Sequence, residues 1–257
     1  MKTIYNVGLA IFLISIMIWN TGCRKFPFLE GNGSVVTEIR QSVSFNRIDN
    51  QGEFNVYYIP DTVFRVEIEA ESNLIPYIRT TVNGNTLEID SRENLNSNYA
   101  MKVFVYSPVL VGVELSGSGL IVVQNAASGT FDVGLSGSGN IYGDVNTAYF
   151  NSTLSGSGEI DFSMISDNVK AIISGSGKIK LAGQCYYGDY KISGSGNIES
   201  FNLHLTECYA KISGSGNIYT SVNDKLNVII SGSGNLYYIG NPEINQNITG
   251  SGRIIKE

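Results

Sequence analysis

Histidine occurs once in this chain, at His204, and tryptophan once, at Trp19. A single imidazole gives a histidine-based metal cluster or a Ser-His-Asp relay almost nothing to work with. Its setting, Phe201-Asn202-Leu203-His204-Leu205, reads as a strand or loop. Cysteine is scarce too: Cys23, Cys185 and Cys208 are too few for a disulfide-stapled scaffold. Charged residues make up only 16% of the chain and their balance is acidic, with a net charge of −6. That balance disfavours a phosphate-binding surface, and no nucleic-acid partner is expected. Helical periodicity is nearly missing; Asn73 to Ile78 is the one candidate turn, and Pro76 interrupts it.

Glycine, by contrast, is abundant, and much of it falls in one motif. Ser-Gly-Ser-Gly, preceded by Leu or Ile and followed two residues later by Ile or Leu, recurs eight times from Leu115 onward, every 18 to 20 residues. Its first residue is Ser116, Ser136, Ser155, Ser174, Ser193, Ser213, Ser231 and, in the last copy, Thr249. A fixed period of this length marks a chain wound into a solenoid with one coil per repeat. Aligned on the motif, apolar residues alternate with polar ones, the signature of strands with one buried face. The column before the first Ser reads Leu115, Leu135, Leu154, Ile173, Ile192, Ile212, Ile230, Ile248. Five residues after that Ser it reads Ile121, Ile141, Ile160, Ile179, Ile198, Ile218, Leu236, Ile254. Both columns are expected to face inward, while Asp132, Asn151, Lys170, Lys191, Lys211 and Asn245 face water.

The glycine segment is read as a corner rather than a flexible linker, because eight copies at one period are each bracketed by inward aliphatic residues. Such a corner calls for glycine on two grounds: positive φ angles and close approach between coils. The fold expected is all-β, a single-stranded parallel β-helix with about 19 residues per coil. Coils stacked at ~4.8 Å give a rod of roughly 35 to 40 Å. A right-handed winding is favoured, since the six-residue spacing from Leu115 to Ile121 does not continue round the coil as a left-handed hexapeptide helix requires.

Four segments follow. Residues 1–22, with Lys2, the apolar run Val7 to Trp19 and then Asn20-Thr21-Gly22 before Cys23, read as a secretory signal; the run is too short to span a membrane. The segment resembles a bacterial lipoprotein leader, although Asn20 stands where such leaders carry an aliphatic residue, and this implies lipidation of Cys23. Residues 23–33 are the lipidated N terminus and a tether. Residues 34–113 lack the motif but are strand-rich: Phe54, Val56 and Tyr58 alternate, as do Phe64, Val66, Ile68 and Ala70, and Asn83-Gly84 signals a hairpin. This part is expected to start the solenoid and cover its end. Residues 114–257 are the repeats. Cys185 and Cys208 lie eight and five residues ahead of the next motif's Ser, a parity difference that directs them to opposite faces.

Candidate sites are few. Calcium-binding β-rolls need a regular carboxylate after the glycines, and this chain has Leu120, Asn140, Glu159, Lys178, Asn197, Asn217, Asn235 and Arg253 there. No metal or other cofactor is expected. Asn197, Asn217 and Asn235 share one column in three successive coils and form either an amide ladder or a polar binding strip. Tyr142, Tyr219 and Tyr237 share a second outward column, suited to sugar rings or a protein partner. A polysaccharide-cleaving enzyme would need convergent carboxylates; the outward Asp132, Lys170, Asp189, Lys191 and Lys211 are explained as a solvated charged face.

Three features together resemble the putative auto-transporter adhesin, head GIN domain family: the lipoprotein-like leader, the opening Phe45-Asn46-Arg47-Ile48 with Gly52-Glu53-Phe54-Asn55-Val56, and the Ser-Gly-Ser-Gly-Asn-Ile copies at Ser193 to Ile198 and Ser213 to Ile218. The resemblance implies a β-helical protein of the bacterial cell envelope with no assigned activity. The function expected is a non-enzymatic binding module for protein or glycan, lipid-anchored at the outer membrane on its periplasmic or surface side. The alternatives are a structural or envelope-stress-linked domain without its own ligand, and a carbohydrate-active β-helix enzyme. The last motif ends at Gly252 and is followed by Arg253-Ile254-Ile255-Lys256-Glu257, so an exposed coil edge is expected there, open to self-association or a partner.

Overall fold

The computed structural model describes residues 28–257; residues 1–22, expected to be a signal, and Cys23 lie outside the described residues. The repeats form Leu120–Leu135, Asn140–Leu154, Glu159–Ile173, Lys178–Ile192, Asn197–Ile212 and Ile218–Ile230, followed by the short strands Leu236–Ile239, Glu243–Ile248 and Ile254–Lys256. Each long strand pairs in parallel with the next coil as it bends round the rod, the ladder being interrupted by register shifts in three of these five pairings. The chain is a β-solenoid of about 8 turns with ~19 residues per coil.

Strand alternation decides which side chains fill the coil. In Glu159–Ile173 the inward residues are Ile160, Phe162, Met164 and Ser166, then Val169, Ala171 and Ile173. The step of three after Ser166 shifts the alternation and marks a bend. A further bend is marked by left-handed backbone at Asn125 and Gly183, where the register between coils also slips. Both aliphatic columns are buried throughout Leu115 to Ile230 and Ile121 to Leu236. Across the interior Phe162, after the corner at Ser155–Gly158, meets Phe150, before that same corner, at 5.1 Å between ring centroids. Each side chain so buried contributes roughly 1.5 to 3 kcal/mol. In the last coil, Ile248 is 37% exposed.

The corner glycines differ from expectation in one respect. None of the motif glycines has a positive φ; that conformation occurs at Gly33, Gly84, Gly183 and Gly240. What excludes a side chain is the coil beneath: a Cβ on Gly194 would lie 2.6 Å from the Ser174 carbonyl oxygen and closer still to that of Gly175. Backbone groups of the corner carry the ladder straight through, with Ser195 N donating to Gly175 O (3.1 Å) and Ser215 N to Gly194 O (3.0 Å). The cysteine expectation is also corrected. Cys185 and Cys208 are both buried and both free, because the bend between Cys185 and Gly188 shifts the alternation and turns each inward. Burial pushes the Cys208 thiol up to about 12 and the Cys185 thiol up to about 11.

The strands before the repeats are Leu29–Glu30 (β1), Val35–Gln41 (β2), Arg47–Asn50 (β3), Asn55–Pro60 (β4), Arg65–Glu71 (β5), Ile78–Asn83 (β6), Thr86–Ser91 (β7), Leu95–Asn96 (β8), Lys102–Ser107 (β9) and Gly112–Leu115 (β10). The expected helical turn is a short 3-10 segment, Ile75–Tyr77. β3 and β4 flank a corner at Asn50–Phe54 on which the first motif rests: Ser116 N donates to Asn50 O (3.1 Å) and Leu120 N to Phe54 O (3.0 Å). Buried Asn50 holds that corner by donating its Nδ2 to Phe54 O at 2.8 Å. β7 and β9 pair in parallel with β3 and β4. β5 and β6 run antiparallel on the far side of β9 and β7. Outermost, β2 is antiparallel to β5. Glu38 and Arg40 of β2 lie opposite the inward Ile68 and Val66, and Arg40 reaches across to donate to Ile78 O (2.8 Å) and Thr80 Oγ1 (3.1 Å). The segment leading into β2 is held where Glu71, fully buried, accepts from Gly33 N, Ser97 Oγ (2.7 Å), Asn98 N (2.9 Å) and Asn98 Nδ2 (3.0 Å).

Candidate ligand-binding face

Residues that follow each glycine corner stack in register, so side chains at equal offsets form straight outward columns along the rod. One such column runs Phe104, Tyr57, Val122, Tyr142, Asp161, Lys180, Glu199, Tyr219, Tyr237 and Ile255. Tyr142, Tyr219 and Tyr237 therefore share a column, but Asp161, Lys180 and Glu199 separate Tyr142 from the other two. Tyr219 and Tyr237 stack face to face at 4.8 Å and 7°. Phe201 meets Tyr219 edge-on at 5.5 Å. At the other end of the column, Tyr57 and Phe104 form a second stacked pair, at 5.3 Å and 22°.

Tyr57 and Phe104 escaped the sequence reading because they lie outside the glycine motif. A signal was nevertheless present: Asn55-Val56-Tyr57 has the same pattern as Asn140-Ile141-Tyr142 and Asn217-Ile218-Tyr219. Phe104 has no such signal, since the ten residues between β7 and β9 obscure its register.

Asn197, Asn217 and Asn235 stand in the neighbouring column. The Oδ1 of each accepts the backbone N–H of the next coil: Asn217 N at 2.9 Å, Asn235 N at 2.8 Å and Arg253 N at 2.9 Å. Their carbonyl groups are thus committed to the stack, and their contribution to a ligand is limited to the amide NH2.

Between the aromatic groups lies a groove of about 310 Å³, lined by Asp161, Lys180, Glu199, Phe201, Asn202 and Tyr219 among others. Two pairs cross it from the adjacent column, Lys180 to Glu159 and Lys178 to Glu199, each at 3.0 Å. The hydrogen bond that Lys180 donates to Glu159 raises its ammonium above the ordinary value. Asp161 has no ion-pair partner among the described residues. Burial raises its carboxyl, Glu159 and Glu199 push the same way, and Lys180 opposes them. Burial likewise raises the Tyr219 phenol, which stays protonated as a donor at neutral pH. The strip therefore presents flat apolar rings, neutral hydroxyls and one uncompensated carboxylate, the groups that hold a polar, ring-containing ligand.

The carboxylates considered for catalysis lie elsewhere. Asp132 accepts from Arg47 (3.0 Å) and Asn151 (2.9 Å), and Asp189 accepts from Lys191 (2.8 Å). The Asp132 contacts tie separate coils together and the Asp189 contact lies within one strand, both on a different face from the tyrosine file. His204 is exposed in its strand, and no cluster of metal-ligating side chains occurs among the described residues.

Comparison with protein families matches the chain to the family described as "putative auto-transporter adhesin, head GIN domain", over residues 44–163 and again over 143–242. Comparison with curated proteins returned no match. Among solved structures, one from Parabacteroides distasonis, described as a putative lipid binding protein, superposes with a TM-score of 0.85 at 26% identity, covering 90% of this chain and 100% of its own. A putative adhesin from Parabacteroides merdae gives a TM-score of 0.84 at 23% identity, covering 90% and 99%. A putative adhesin from Bacteroides fragilis gives 0.69 at 23%, covering 89% and 100%.

Proposed function

This chain belongs to the putative auto-transporter adhesin, head GIN domain family, and from that membership we propose that it is a non-enzymatic binding module of the bacterial cell envelope, tethered by a lipid on Cys23. Its ligand, a glycan or a protein, lies on the outward face that follows the glycine corners. The observation that carries this reading is the stacked Tyr219–Tyr237 pair with Phe201 beside a groove holding the unpaired Asp161. A stacked aromatic pair on an outward face steadies its own strands and also offers a ligand a flat surface to lie against.

A lipid is the second reading, favoured by the neighbour described as a putative lipid binding protein. The inward columns are filled with side chains, so a lipid would lie on the outside of the rod. Binding of the purified protein to a glycan array and to phospholipid vesicles, with Tyr219→Ala beside the wild type, separates the readings. Glycan or protein capture lost in Tyr219→Ala supports the proposal; vesicle binding insensitive to that change favours the second. Incorporation of labelled fatty acid into the wild type but not into Cys23→Ser tests the anchor.

A further inference from the structure

The aromatic column suggests not only a site but a direction. Tyr219 and Tyr142 lie in one straight file, four coils apart, so about 19 Å separates them along the rod at ~4.8 Å per coil. An extended chain of β-linked pyranose rings advances by nearly the same distance per ring as the rod does per coil. Flat apolar groups stand at both ends of this interval, Tyr219 with Tyr237 at one and Tyr142 at the other, and polar groups fill the rungs between. On the basis of the binding face proposed above, we infer that its ligand is a linear neutral glycan laid along the rod axis, about one sugar per coil, from Tyr237 across Asp161 to Tyr142.

Charge narrows the class. Lys178 and Lys180 are each committed to a carboxylate of the protein, Glu199 and Glu159, which leaves Asp161 as the spare charge of the groove. A polyanion such as a uronate or sulfated polymer would be repelled there, while hydroxyl or amino groups of a sugar can donate to Asp161. A peptide adding as a strand is disfavoured on this face, since the strands on both sides already satisfy its backbone groups. The remaining rings of the file, Tyr57 and Phe104, stand beyond Val122 and would extend the same track for a longer chain.

The test is calorimetric titration of the full chain with a ladder of neutral β-1,4-linked oligosaccharides, from disaccharide to hexasaccharide, and with a sulfated hexasaccharide. Affinity should rise about tenfold or more from the shortest to the longest neutral probe, since each added rung brings new contacts without a new loss of translational freedom. Tyr219→Ala should abolish binding of every probe, and Tyr219→Phe should retain most of it. Tyr142→Ala should weaken the hexasaccharide and leave the disaccharide unchanged. If affinity is independent of length and Tyr142→Ala has no effect while Tyr219→Ala still abolishes binding, the axial track is wrong and the site stands. If no neutral oligosaccharide binds, or the sulfated one binds tighter, the glycan assignment itself is overturned. Capture of a protein ligand that depends on Tyr219 would then identify the other class.

Discussion

From Gly112 onward each layer of the sheet is laid down directly after the one beneath it, whereas before that point the chain visits its layers out of order. It forms β3 and β4, jumps two layers outward to run backwards through β5 and β6, and then fills the gap with β7 and β9. The two routes need different kinds of support. Adjacent coils of the repeat are 18 to 20 residues apart in sequence and rest on each other through bare backbone at the corners. The earlier layers join segments of unrelated sequence and depend on individual polar side chains: Asn50 in its corner, Arg40 across the end, Glu71 at the segment leading into β2. Repetition therefore lets one glycine solution serve eight times, while the non-repeating part needs a separate solution for each junction.

The sharpest way to break this comparison is to put a side chain in a corner. Gly194→Val should cost about 3 kcal/mol, because its Cβ would enter the backbone of the coil beneath at Ser174 and Gly175. Gly129 is exposed, and a methyl group added there would meet nothing within 4 Å, so it should accept alanine within about 0.5 kcal/mol. Chemical unfolding of both variants measures the contrast; equal midpoints would show that the corners are not what holds the coils together.

An intermediate effect should come from the other part. Hydrogen bonds from Asn98 and Ser97, with backbone donors from Gly33 and Asn98, hold the Glu71 carboxyl down at about 2. Its unfolded value is about 4.3. Because the folded value is the lower one, this stabilisation is fully present above about pH 4.3 and is lost as pH falls toward about 2. Glu71→Gln should lower the melting temperature at neutral pH and flatten its fall over that acid range. A variant that melts with the same acid slope as the wild type would remove Glu71 from the account.

The smallest effect should be the amide ladder. Asn217→Ala leaves the Asn235 N–H without its acceptor at a half-buried site and should cost about 1 kcal/mol. Asn217→Asp keeps an acceptor there and should lose less. A melting curve of Asn217→Ala superimposable on the wild type would reduce the ladder to a by-product of coil register.

How much of this was legible in the sequence follows from the same contrast. The columns from Leu115 and Ile121 could be read because a strand's period is two and the repeat supplies eight aligned copies. The need for glycine was legible, but its reason was only half so: close approach was read correctly, whereas the supposed positive φ was wrong at every motif glycine. The bend that turns Cys185 inward was invisible, since it has no fixed residue type and appears only as a shift of alternation between Cys185 and Gly188. Of the candidate face, the shared tyrosine column could be read from offsets alone. The charged rungs between its tyrosines and the groove beside Phe201 depend on which coil lies next to which. The reversal between β6 and β7 was legible in the Asn83-Gly84 hairpin signal, whereas the partners of β5 could not be read, because no local pattern records a pairing between strands distant in sequence.

That reversal bears on symmetry. A rod whose two ends fit each other can add copies head to tail without limit, and such an interface builds a fibre. Here the first end is built of two strands of opposite direction: β6, reversed relative to the coils, and β2, which is antiparallel to the reversed β5 and so runs with them, its Arg40 spent on the Ile75 and Ile78 carbonyl groups. A coil edge from another copy, whose strands all run one way, therefore matches β2 in direction but not β6. The reversal of β6 thus denies a second copy the continuous parallel ladder that adjacent coils share with each other.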